Sequence, residues 1–232
     1  MSPHDRQTEI PAVPHCFQVE RRISQPRYSA ALDAKPAAAL AVLLPMLGCG
    51  EEAAAVSFDR LSRTDALDSS LRRILHNIAD DERCHDAMLR GLRAALPLAV
   101  TDATVQARVR RFHFSLARGG TVLHLARIAG IDAAVCTILS RMLRPGSPVA
   151  RDDAARAVLS HIRHDETRHV VVSRDFALSA PDRKSVRGAA AEARDALAGL
   201  LASGADAFEA LGVDSDRLLH DIGSLPDGLL PQ

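Results

Sequence analysis

The sequence predicts an all-α protein built on a bundle of four long helices. Apolar residues recur at steps of three and four over long stretches, the period of an amphipathic helix, and no stretch reads convincingly as a strand. Breaks are sparse and strong: Pro97, Gly119-Gly120, "RPGSP" at 144–148 and Pro181. Each long apolar stripe also carries one carboxylate near its middle. A bundle interior tolerates such a charge only when it is paired or coordinated.

Residues 1–34 contain Pro3, Pro11, Pro14 and Pro26 and are expected to be irregular. The bundle then occupies 35–180, and a helical extension occupies 181–232. Helix one is expected from Pro36 to Arg63, with Pro45 kinking or splitting it. Its inward stripe is Leu40, Leu44, Leu47, Glu51, Ala54, Phe58 and Leu61. Helix two is expected from Ala66 to Leu96, capped by Thr64 or Asp65, with Leu71, Ile74, Ile78, Glu82, His85, Leu89 and Leu92 inward. Helix three covers Asp102 to Leu143 with a break at Gly119-Gly120, and its stripe is Thr121, Leu125, Ile128, Asp132, Val135 and Leu139. Helix four runs from Val149 to Ser179, with Val158, Ile162, Glu166, His169, Ser173 and Phe176 inward. A fifth helix, Asp182 to Ala202, precedes Gly204 and one or two short pieces.

Charge excludes several classes of partner. Lys plus Arg equals Asp plus Glu at 29 each, so nothing recommends nucleic acid or an anionic membrane. No apolar run approaches the ~20 residues that span a bilayer. The first residues, "MSPHDRQTEIPAVPHCF", lack the apolar core of a signal peptide, which places the protein in the cytoplasm as an expectation. Cys16, Cys49, Cys84 and Cys136 form no C-x-x-C pair, so neither a disulfide framework nor a zinc knuckle is expected. Cys49, Cys84 and Cys136 read as small buried hydrophobes.

The chemistry sits in two short motifs. "NIADDERCHDAML" (77–89) and "HIRHDETRHVVVS" (161–173) both contain Asp-Glu-x-x-His. The i, i+3 spacing puts Glu82 with His85, and Glu166 with His169, on one helix face about a turn apart. Both pairs fall in register with an apolar stripe, as do Glu51 and Asp132 on the other two helices. A four-helix bundle can hold two metals with one carboxylate from each of two helices and a Glu-x-x-His from each of the other two. Glu51 and Glu52 compete for the first of these positions, and the stripe favours Glu51. Asp81 and Asp165, each preceding a motif glutamate, are read as acceptors that orient a metal-bound histidine of the opposite helix. His124 and His161 lie near enough in sequence to line a pocket, whereas His113 and His164 read as surface or flank. "RVRRFHF" (108–114) reads as a solvated face with Phe112 or Phe114 turned inward.

The pattern Glu51, Glu82-x-x-His85, Asp132, Glu166-x-x-His169 resembles the ferritin-like di-iron carboxylate superfamily over residues 36–180. Phe58, seven residues after Glu51, stands where ferritins and rubrerythrins often carry an aromatic. The resemblance implies a ferritin-like four-helix bundle with additional C-terminal helices. It also implies two Fe ions, with Mn fitting the same ligands nearly as well. The departure is Asp132, where the family carries glutamate; small neighbours (Ala129, Gly130, Ala133, Ala134) would let its helix come closer to the metals.

Within that superfamily several activities fall away. A radical-generating reductase subunit needs a tyrosine beside the metals, and the only tyrosine is Tyr28 in the leader. A full rubrerythrin needs four paired cysteines. A ferritin subunit is little more than the bundle, unlike this chain. The resemblance therefore implies an O2-activating oxygenase that hydroxylates or N-oxygenates a small organic substrate, as the arylamine N-oxygenases do. An electron donor (a reductase or ferredoxin) and a homodimer are the accompanying expectations. Ferroxidase or peroxide-scavenging chemistry, or a non-catalytic bundle with a degenerate site, are the alternatives.

Overall fold

The structure is a computed structural model that describes residues 16–17, 19, 23–65, 67–99 and 103–225. Among these the regular structure is helical, with no strand. The long helices are α1 (Ala34–Ser62), α2 (Ser69–Ala94), α4 (Thr121–Met142) and α6 (Asp153–Leu178). Shorter ones are α3 (Ala103–Leu116), α5 (Pro148–Arg151), α7 (Arg183–Leu201), α8 (Ala205–Ala210) and α9 (Ser215–Gly223). In the bundle α1 packs along α2, α4 along α6, and α2 faces α6.

Local chemistry sets the boundaries. Gly119 and Gly120 take φ of 83° and 91°, a region that favours glycine, and so part α3 from α4. Helix α2 starts later than expected: Asp68, rather than Thr64 or Asp65, accepts from the amides of Ser70 and Leu71, both at 2.9 Å. Asp152 divides the expected fourth helix into α5 and α6. Its extended backbone ends α5, while its carboxylate accepts from Ala155 N and, across the chain, from Ala31 N at 2.6 Å. Helix α1 runs through Pro45 without splitting. In α2 the inward residue at the N-terminal end is Leu75, and Ile74 is exposed instead.

The apolar interior falls into two large clusters. One gathers Leu40, Leu44, Leu89, Ile138, Val158 and Ile162, and extends to α7, α8 and α9. The other gathers Phe58, Leu61, Leu75, Ile78, Leu125 and Ile128. On α1, α2 and α4 the buried carboxylate lies in sequence between a contributor to one cluster and a contributor to the other. The polar layer thus separates two apolar ones.

Helices α1 and α4 are long and apolar enough to cross a membrane by length and composition, contrary to the expectation that no segment comes close. Half of the apolar window in α1 and 67% of that in α4 are buried inside the protein, so packing against neighbouring helices accounts for much of that apolarity. The small residues around Asp132 also serve a different contact from the one expected. A Cβ on Gly130 would lie 2.8 Å from the backbone oxygen of Ala190, so Gly130 lets α7 rest directly on α4.

The leader is tied down at several points. Glu52 accepts from the amides of Cys16 and Phe17, both at 2.8 Å. Gln25 donates to the carbonyl of Arg90, and Gly91 leaves room for Pro26 and the Tyr28 ring. Cys16 and Cys49 form a disulfide, with Cα atoms 5.4 Å apart, which corrects the reading of Cys49 as a free hydrophobe. Spacing could not show this, because the partners are 33 residues apart and meet only when the leader folds back. Such bonds are commoner in oxidising compartments than in the cytosol. Closing a loop of that length is worth roughly 2–4 kcal/mol. Cys49→Ser, or a reductant, is therefore expected to lower stability by about that amount. Urea titration measures it, and an unchanged midpoint would show that the bond constrains nothing in the unfolded chain.

Candidate metal centre

Six of the residues picked out by register are buried in the bundle: Glu51, Glu82, His85, Asp132, Glu166 and His169. Both histidines are fully buried. The donor atoms of Glu51, Glu82, His85 and Glu166 lie within 4.8 Å of one another, a cluster that can hold a metal ion. His85 Nδ1 is 3.2 Å from Glu51 Oε2, 3.4 Å from Glu82 Oε2 and 3.7 Å from Glu166 Oε1. His169 Nδ1 is 3.0 Å from Glu82 Oε1 and 3.7 Å from Glu166 Oε2. Glu82 and Glu166 therefore each turn one oxygen to each histidine. Asp132 stands outside the four-residue set but lines the same cavity as Glu51, Glu82 and Glu166.

The far nitrogens behave differently. His85 Nε2 donates to Asp165 Oδ2 at 3.2 Å, and His169 Nε2 donates to Asp81 Oδ2 at 3.3 Å. Each aspartate comes from the helix opposite its histidine, so the two motifs are interlocked. Arg168 pairs with Asp165 at 2.5 Å and lies 3.5 Å from Asp81. Phe58 backs His169, with ring centroids 6.2 Å apart.

Several buried atoms in the cluster have no hydrogen-bond partner: both oxygens of Glu82, Glu166 Oε2, Asp132 Oδ2 and His169 Nδ1. Leaving a buried polar atom unsatisfied costs roughly 1–3 kcal/mol, more when charged. His169 Nδ1 and Glu82 Oε1 are 3.0 Å apart and still do not align as donor and acceptor. A cation held by Glu51, Glu82, His85 and Glu166 would satisfy the Glu82 and Glu166 oxygens among these atoms. The three carboxylates and one imidazole of the four-residue group are all metal-ligating types.

Electrostatics agree. Burial, with Glu82 and Glu166 nearby, pushes Glu51 well above the carboxylate range although His85 opposes it. Burial and the charges of Glu166 and Glu82 do the same to Asp132. Burial also raises Glu82, but the two flanking histidines outweigh it and hold Glu82 low. Burial would lower His85 and His169; their carboxylate neighbours prevail and raise both. Burial, with the charge of Glu82, also raises Glu166.

Other residues part from expectation. Glu52 is occupied by the leader, which leaves Glu51 as the member of that pair at the cluster. His161 is half-exposed and reaches Asp165 at 3.3 Å, outside the cavity. His124 is buried away from it, and burial, with Arg127 and Arg60, holds it down to about 4. His113, read as a flank residue, lines the cavity. In the same run Val109 is the buried residue, Phe112 is half-buried and Phe114 is exposed. Helical period could have found His113, because it lies one turn beyond Val109. Burial raises Cys136 to about 11, so it stays a thiol.

No protein-family model matches the sequence, and no curated protein matches it either.

Metal loading must displace protons from the raised groups, so affinity is expected to rise with pH and protons to be released. Calorimetry in buffers of different ionisation enthalpy counts them; no release would mean the groups are already deprotonated. Asp81→Asn and Asp165→Asn are each expected to weaken metal binding ~10–100-fold while the fold is kept. Metal titration of the two variants checks this, and unchanged affinity would show that neither aspartate orients a metal-binding histidine.

Proposed function

We propose that the chain is a non-haem di-iron oxygenase of the ferritin-like type, which uses O2 to hydroxylate or N-oxygenate a small organic substrate. The observation that carries this reading is the pair of Glu-x-x-His motifs whose Nδ1 atoms face shared carboxylates at the floor of an apolar cavity.

In this reading Glu51, Glu82, His85, Asp132, Glu166 and His169 would hold the two metal ions. Two Fe(II) ions there would supply the electrons that activate O2. Asp165 and Asp81 hold each imidazole in the tautomer whose Nδ1 lone pair faces inward. Leu47, Ile128, Ile131 and Val135 keep bulk water away from the reacting end of the substrate. An external reductase or ferredoxin is the electron source this reading requires. The apolar lining favours an organic substrate over the passage of hydrated iron, which sets ferroxidase chemistry behind it.

Anaerobic loading with Fe(II), a metal count, and an oxygen-electrode trace test the proposal. Two equivalents of iron and rapid O2 consumption are expected; tight metal binding with no O2 uptake rejects it. Asp132→Ala is expected to lose one of the two metals and keep the other. Two metals at wild-type affinity in that variant would remove Asp132 from the ligand set.

A further inference from the structure

We propose that the cavity over the acidic cluster binds a small, uncharged, apolar molecule with at most one hydrogen-bonding group, and that α3 and α7 select it. Calling that molecule the substrate rests on the oxygenase reading; its chemistry follows from the cavity.

The floor is Glu51, Glu82, Asp132 and Glu166. Neither His85 nor His169 reaches it, because both lie behind the carboxylates. The roof comes from outside the four bundle helices: Val109 and His113 on α3, Leu197 and Leu200 on α7. The space is ≈ 80 Å³, several times what a single water needs. Asp132 Oδ2, unpartnered and buried, belongs to the floor.

Charge decides the ligand class. Among the described residues the lining has no lysine, arginine, tyrosine or tryptophan, and beyond the floor its polar side chains are Ser57 and His113. Burial holds His113 down to about 4, so it is neutral and offers a hydrogen bond rather than a counter-ion. An anion finds no lysine or arginine in the described lining, and once two dications balance the four carboxylates it has no unmatched charge to pair with. Once two dications balance those carboxylates, a cationic ligand has no unmatched charge to pair with and still loses its hydration. An uncharged apolar molecule bears neither cost and gains from apolar burial.

Selection falls to the roof because the floor is committed to the metals. Gly130 seats α7 on α4 at Ala190, and two turns further along α7 Leu197 lies over the cavity. A larger residue there shortens the space without touching the floor, and a smaller one lengthens it.

Saturation-transfer NMR on Zn(II)-loaded and metal-free protein tests this with benzyl alcohol, benzylammonium and benzoate, three probes of like shape and different charge. In the loaded protein benzyl alcohol is expected to bind at least ~10-fold more tightly than either ion. Leu197→Trp is expected to abolish its binding with metal stoichiometry unchanged, and Leu197→Ala to admit 1-naphthalenemethanol. Equal binding of benzoate or benzylammonium to the loaded protein overturns the charge argument. Unchanged selectivity in both Leu197 variants overturns the role of the roof. Metal bound without benzyl alcohol defeats the cavity proposal and leaves the di-metal reading standing. If no metal loads, the metal-free protein decides: benzyl alcohol bound in preference to benzoate keeps the cavity proposal while the oxygenase reading falls.

Discussion

Four carboxylates and two imidazoles share a buried layer, where a charge is costly unless it is paired or coordinated. That constraint organises the rest of the molecule. Burial alone would drive every carboxyl towards its protonated form and every imidazole towards its neutral form. Instead Glu82 is held low and both histidines are held high, because each is pressed against the other kind. The compromise leaves unpartnered oxygens on Glu82, Glu166 and Asp132. An arrangement built for stability alone would have filled that layer with apolar side chains, as the clusters on either side do.

Holding such a layer requires fixed helices, and charges outside it do that. Arg83 pairs with Asp59 across α1 and α2 and with Asp80 along its own helix at 2.7 Å. Glu52 is diverted to the leader, Asp152 joins the leader to α6, and the cap residues Asp68 and Asp182 set helix starts. Asp81 and Asp165 do the most local work, because each locks a histidine belonging to the opposite helix. Sliding α2 against α6 by even one residue would break both contacts together.

Much of this was legible in the sequence because it depends on period. Glu51, Glu82, Asp132 and Glu166 shared a register with Leu44, Ile78, Ile128 and Ile162, and helical geometry then had to gather them. The preference for Glu51 over Glu52 came from the same stripe. What period cannot show is a partner from a distant segment. The Cys16–Cys49 bond needs the leader to fold back on α1, the closeness of Gly130 to Ala190 needs α7 to cross α4, and the place of His113 needs α3 to lie over the bundle. The start of α2 was missed for a local reason. Three potential caps, Thr64, Asp65 and Asp68, precede that helix, and composition does not rank them.

Glu51 and Asp132 are the two cluster carboxylates outside the Glu-x-x-His motifs, and they differ in how they are satisfied. His85 lies between Glu51 and Asp165, His169 meets Asp81, and Asp132 lines the cavity. Glu51 reaches its histidine at 3.2 Å, whereas Asp132, one methylene shorter, keeps an oxygen without a partner. Of these two carboxylates, the one with an unpartnered buried oxygen is Asp132, on α4. That is also the helix on which Gly130 seats α7, whose leucines cover the cavity. One shortened side chain and one missing Cβ, two positions apart on α4, thus bear on the same space. The first leaves room at the acidic floor, and the second brings the apolar roof over it.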